Sequence, residues 1–185
     1  MKRKLSAVAV ALALGCALNR AAWAFDNDAT VTQSGNDNSA VVTQNNAGGS
    51  TATVGQTGDR NSATVTQTRF GFGPSASISS TGNDNSATIL QDSTNNSSAS
   101  ISQTGDANRA TINQVPIDLT RFSNDATASI TQQGTGNTAL INQVGTNCNS
   151  CGGNGVSATI LQVGSSSNSF AEINQNGPAL RTTAL

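Results

Sequence analysis

The chain has 185 residues, no His, no Tyr, one Trp and five Phe, and only 10% of it is charged, for a net charge of −1. This composition excludes a wide core of Leu and Phe, and without His the usual general base of catalysis is missing. Disordered chains pair low hydrophobicity with high net charge, which this one lacks; the remaining way to fold is a thin, repetitive core whose polar groups pair in ladders.

The first 24 residues stand apart. "KRK" is a basic start, "LSAVAVALALG" an apolar stretch, and "AWA" an A-x-A signal for cleavage after Ala24. The apolar run is shorter than the ~20 residues of a membrane-spanning helix, so it reads as a cleaved secretory signal of an exported protein. The rest of the chain has no lysine, and its five Arg against ten acidic residues give 5 − 10 = −5. A basic footprint for nucleic acid is absent.

From Ala29 onward one unit recurs: A-x-[VI]-x-Q-x-G-x-x-N-x-A-x-[VI]-x-Q. Its copies are "ATVTQSGNDNSAVVTQ" (29–44), "ATVGQTGDRNSATVTQ" (52–67), "ASISSTGNDNSATILQ" (76–91), "ASISQTGDANRATINQ" (99–114) and "ASITQQGTGNTALINQ" (128–143). A sixth, "ATILQVGSSSNSFAEINQ" (158–175), has two extra residues in its middle turn. Within each half the period is two, the signature of a strand. The segment between carries Gly at a fixed place (Gly35, Gly58, Gly82, Gly105, Gly134 and Gly164), where a positive φ costs little. Each unit therefore reads as strand, tight turn, strand.

A two-stranded unit cannot bury its inner face alone, but stacked copies can. The expected fold is an all-β solenoid of about six rungs forming two parallel, in-register sheets. At ~4.7–4.8 Å per rung it would stand roughly 25–30 Å tall. Parity puts Gln33, Gln56, Gln103, Gln132 and Gln162 on the inner face of the first strands. It puts Asn38, Asn61, Asn85, Asn108 and Asn137 with Gln44, Gln67, Gln91, Gln114, Gln143 and Gln175 on that of the second. Buried unpaired amides would cost a few kcal/mol each, but in register each can donate to its copy one rung away. These columns are the candidate self-assembly core.

The connections between units run from 45–51 to 144–157 and lengthen toward the C-terminus, so variable material projects from one edge. There Phe70, Phe72 and Phe122 either cover the edge or form a small contact patch. Cys148 and Cys151 lie in the longest connection as "CNSC". A zinc site needs four ligands; in an oxidising compartment the pair reads as a local disulfide, with unpaired or intermolecular thiols as the alternative. Neither a metal nor a cofactor is expected. After the sixth unit, Pro178 cannot donate to a further ladder, and nothing resembling a cap precedes Ala29. The first rung is thus the better template for another subunit.

These units resemble the curlin family, the secreted subunits of bacterial curli fibres, whose repeat reads S-x5-Q-x-G-x2-N-x-A-x3-Q. Two match at every fixed position: Ser50, Gln56, Gly58, Asn61, Ala63, Gln67, and Ser97, Gln103, Gly105, Asn108, Ala110, Gln114. Elsewhere Asn27, Pro74, Ala126 and Val156 replace the leading Ser, and Ser80 replaces one Gln. The resemblance implies an amyloid subunit that polymerises with itself into adhesive, biofilm-associated surface fibres. It also implies transit through the periplasm, an outer-membrane secretion channel and a nucleator subunit as partners. In that family Gly and Asp of some repeats temper aggregation, and Asp37, Asp59, Asp84 and Asp106 stand at suitable turn positions. Family members often carry an export-targeting stretch before the first repeat, whereas here the repeats follow "FDND" at once.

Two other readings come from different classes. An ice-binding solenoid needs a flat Thr array, and Thr30/Thr32, Thr64/Thr66 and Ser129/Thr131 face outward, but the same columns hold Ser77/Ser79, Gly55, Arg109 and Glu172. A monomeric adhesin would need capped ends, because an exposed terminal rung invites strand addition.

Overall fold

A computed structural model of the chain describes residues 10–14, 27–45, 49–68, 73–92, 94–116, 123–145, 156–164, 167–176 and 181–184. Its strands are β1 (Val10–Leu14), β2 (Asp28–Ser34), β3 (Ser39–Asn45), β4 (Thr51–Thr57), β5 (Ser62–Thr68), β6 (Ser75–Thr81), β7 (Ser86–Asp92) and β8 (Thr94–Asn95). They continue with β9 (Ser98–Thr104), β10 (Arg109–Val115), β11 (Ser123–Asn124), β12 (Thr127–Gln133), β13 (Thr138–Val144), β14 (Ser157–Gln162), β15 (Phe170–Asn176) and β16 (Arg181–Ala184). No described residue is helical, in keeping with the Thr, Ser, Asn and β-branched content.

Each repeat gives its first strand to one sheet, ordered β2-β4-β6-β9-β12-β14-β16, and its second to the other, ordered β1-β3-β5-β7-β10-β13-β15. All neighbours are parallel, as a coil of identical rungs requires, and the fold is a β-solenoid. The register sets like on like. Ala40, Ala63, Ala87, Ala110, Ala139 and Ala171 form one column, and Ala29, Ala52, Ala76, Ala99, Ala128 and Ala158 face them from the other sheet. Small Ala lets the sheets approach, and Val and Ile two residues on fill the space left. Seven isoleucines are fully buried, each contributing about 1.5–3 kcal/mol by leaving water. In the interior strands every second residue is buried and those between are exposed or half-buried. A one-residue slip would turn the Thr and Ser columns inward, so the register is strongly specified.

Turn chemistry closes each rung. The turn glycines hold φ between 95° and 115° and stack so closely that a β-carbon on Gly58 would collide with the Gly82 carbonyl oxygen. The residue before each column Asn is left-handed too: Asp37, Arg60, Asp84 and Ala107 have φ of 55° to 59°. In the sixth turn the extra residues precede Ser167, and Asn168, with φ 57°, takes the left-handed place before the ladder resumes.

The ends differ from the sequence expectation. The chain beyond Pro178 does return to the ladder: β16 pairs with β14, because Arg181–Ala184 lies past the proline and meets an open parallel edge. The first rung is not bare either. Val10–Leu14, inside the stretch read as the leader's apolar core, pairs along β3, since an apolar extended run satisfies that edge. Two of the connections also pair with each other, Thr94–Asn95 against Ser123–Asn124. Phe70, Phe72, Phe122, Cys148, Cys151 and the expected cleavage at Ala24 lie outside the described residues.

Candidate functional site

The second-strand glutamines form one unbroken column. Gln44 Nε2 donates to Gln67 Oε1, Gln67 to Gln91, Gln91 to Gln114, Gln114 to Gln143 and Gln143 to Gln175, each at 2.9 Å. The same amide nitrogens also donate across the core to carbonyls at the start of the facing strands, including those of Asp28, Thr51, Ser75 and Ser98. A third acceptor is the carbonyl just before the next unit, on Ser50, Pro74, Ser97 and Ala126. The glutamines use only the backbone there, so Ser, Pro and Ala can all serve them, while the side chains of Asn27 and Ser97 at that position accept the N–H of Ser50 and Ala126.

The first-strand column runs in the same direction but is interrupted. Gln33 Nε2 donates to Gln56 Oε1 at 2.6 Å, and farther on Gln103 donates to Gln132 at 3.0 Å and Gln132 to Gln162 at 2.9 Å. Between them stands Ser80. Its hydroxyl donates forward to Gln103 Oε1 at 3.1 Å, but the side chain is too short to accept from behind, and Gln56 Nε2 is buried without a partner. At the start of the column Gln33 Oε1 is likewise buried and unpartnered. Leaving such a group unpaired costs ~1–3 kcal/mol.

The asparagines tie the turns to the sheets. Asn38 Oδ1 accepts both the backbone N–H (2.9 Å) and the Nδ2 (3.1 Å) of Asn61, while Asn38 Nδ2 donates to the Gly58 carbonyl at 2.7 Å. Asn61 and Asn85 repeat the pattern, and Asn108 accepts the backbone N–H of Asn137 while donating to the Gly134 carbonyl. At the last rung Asn137 Oδ1 accepts the backbone N–H of Ser169. A backbone donor is all the acceptor requires, so Ser can replace Asn there.

Three of the four acidic turn residues divide into two kinds. Asp59 and Asp106 accept the backbone N–H of the preceding turn, on Asn36 and Asn83. Asn83 does the same for Asp59. Asp84 instead pairs bidentately with Arg60 at 2.7 Å on both oxygens, at the exposed edge. That hydrogen bond and the guanidinium charge hold the Asp84 carboxyl below its usual range and raise Arg60. Sequence reasoning also missed an outward amide ladder, Asn113 to Asn142 to Asn174, at 2.8 Å a step; its signal is the Asn shared by "TINQ", "LINQ" and "EINQ". The outward columns form no uniform Thr array, since Thr30, Thr53, Ser77, Ser100, Ser129 and Thr159 alternate hydroxyl types and Thr32 gives way to Gly55 and Leu161.

The arrangement can pair backbone and amide edges with another chain and holds no group poised for proton transfer among the described residues. The curlin associated repeat model matches this chain four times, over residues 26–58, 49–82, 82–115 and 124–149. The chain belongs to the curlin repeat family, a family of curli-type fibre subunits rather than enzymes. Neither a curated protein nor a solved structure matches it.

Proposed function

We propose that this protein is the structural subunit of an extracellular functional-amyloid fibre of the curli type, growing by stacking one copy's rung on another's and serving surface adhesion and the biofilm matrix. The observation that carries the reading is the end of the first-strand column. Gln33 Oε1 is buried with no donor, in a column where Gln132 and Gln162 are each served by the glutamine one rung before. A second copy's glutamine is the group that fits. The same reading carries secretion through the periplasm, an outer-membrane channel and a nucleator subunit as partners.

Purified chain diluted from denaturant should form thioflavin-binding fibres with a cross-β reflection near ~4.7–4.8 Å. A solution that stays monomeric after long incubation at micromolar concentration would overturn the reading.

A further inference from the structure

Among the described residues, each end of the solenoid is finished on one sheet only. At the C-terminal end β16 lies along β14, setting Arg181 against Ser157, Thr182 against Ala158, Thr183 against Thr159 and Ala184 against Ile160. Beneath it Ala158 and Ile160 are fully buried, whereas Ala171 on the uncovered β15 is only partly so. The cover is incomplete. Its described pairing runs as far as Ala184 against Ile160, and Gln162 is 7% exposed where Gln132, one rung earlier, is 0%. A β-carbon on Gly164 would meet nothing, although the equivalent on Gly105 would strike Gly134. The cover also breaks the column identities, placing Thr182 in a column of alanines and Ala184 in a column of Val and Ile.

The first strand of the first repeat has what β16 lacks. β2 is seven residues long against four, and it carries Ala29, Val31 and Gln33 at the spacing of Ala158, Ile160 and Gln162. Among the described strands it forms the edge of its sheet, and its Gln33 Oε1 needs the kind of donor that the Gln162 amide presents. We infer that the β14 edge beneath β16 is the docking surface for β2 of a second copy, and that β16 is a displaceable cover that delays this docking. The inference rests on the self-assembly reading above. Exchange would replace a short, mismatched strand by a longer one that continues every column, and an unprotected parallel edge of this kind is a ready template for addition.

The test compares the lag before fibre formation in the full chain and in three variants. Termination after Asn176 removes the cover. Thr182→Pro with Thr183→Pro loosens it, whichever of the two amides faces β14. Thr182→Ala with Ala184→Val tightens it by restoring the column residues. The first two should shorten the lag several-fold and the third should lengthen it several-fold. Equal lags, or slower assembly on loosening, would overturn the cover. Should the loosened chains fail to fold, the tightened one decides alone, and an unchanged or shorter lag would count against the inference. Fibres from none of the chains would overturn the fibre reading itself, and the inference with it.

Discussion

The two inner glutamine columns are built from the same repeat and face each other across the same core, yet one is continuous and the other is not. From Gln44 to Gln175 each amide finds its successor. From Gln33 to Gln162 the chain of donors stops at Gln56, because Ser80 stands where the next acceptor is due. The backbone does not register the break: β6 keeps its pairing with β4 and β9 on both sides of it. Geometry is therefore set by the Ala and Val/Ile columns and the backbone ladder, and the amide columns add stability and direction on top of it.

The strongest way to break the comparison is to make the continuous column fail. Gln91→Ala removes the donor to Gln114 Oε1 and to the carbonyls of Ser75 and Ser97. With ~1–3 kcal/mol for each buried group left unpaired, denaturant unfolding should show a loss of about 3 kcal/mol or more. Gln56→Ala, in the column already broken, should cost less than half as much; equal losses would mean the two columns contribute alike. The converse change repairs the gap. Ser80→Gln offers Gln56 an acceptor and should raise stability by about 1–2 kcal/mol, read as a higher midpoint at unchanged slope.

Changes at the turn edge set a baseline below both columns. Ala107 is the one left-handed residue of its column, at φ 55°, with neither a polar side chain nor glycine's freedom, a conformation that costs about 1–2 kcal/mol. Ala107→Gly should therefore recover about 0.5–1 kcal/mol, part being offset by the freer unfolded chain. The smallest effect belongs to Arg60 and Asp84. Because the Asp84 carboxyl is held below its ordinary value of 3.8, its contribution is present above that value and is lost as pH falls through the lowered one. Asp84→Asn should remove this acid-side dependence and little else, and added salt should mask the difference.

Much of this was legible in the sequence because the signal is positional. Ala, Val/Ile, Gln and Asn recur at one parity in six units, and only one register lets all of them coincide. The turn glycines were legible for the same reason, though what forbids a side chain there is the stacking of one turn on the next. What escaped was whatever a single copy could not repeat. The tail "RTTA" carries no column residue in the expected place, so nothing in its letters announced β16; the edge that attracts it exists only once the sixth rung is built. Pro178 cannot donate to a ladder, yet pairing is present past it, at Arg181–Ala184. The apolar run at Val10–Leu14 matched the template of a leader, and its pairing with β3 depends on an edge supplied by residues far along the chain.

The one-way order of the glutamine columns has an electrical consequence. In a parallel sheet successive backbone carbonyls point to opposite ends of the stack, and their dipoles nearly cancel. The inner glutamine amides do not alternate: at every Gln-to-Gln step the nitrogen faces the C-terminal rung and the oxygen the N-terminal one, whereas the inner asparagines donate back toward the N-terminal rung. An amide carries a dipole of ~3.5 D, and aligned amides sum head to tail as they do in a helix. The two glutamine columns thereby polarise the rod, making their share of its field negative where it begins and positive where it finishes. Two rods meeting like end to like end would oppose their fields, whereas a file of them facing one way reinforces its own polarisation with each addition.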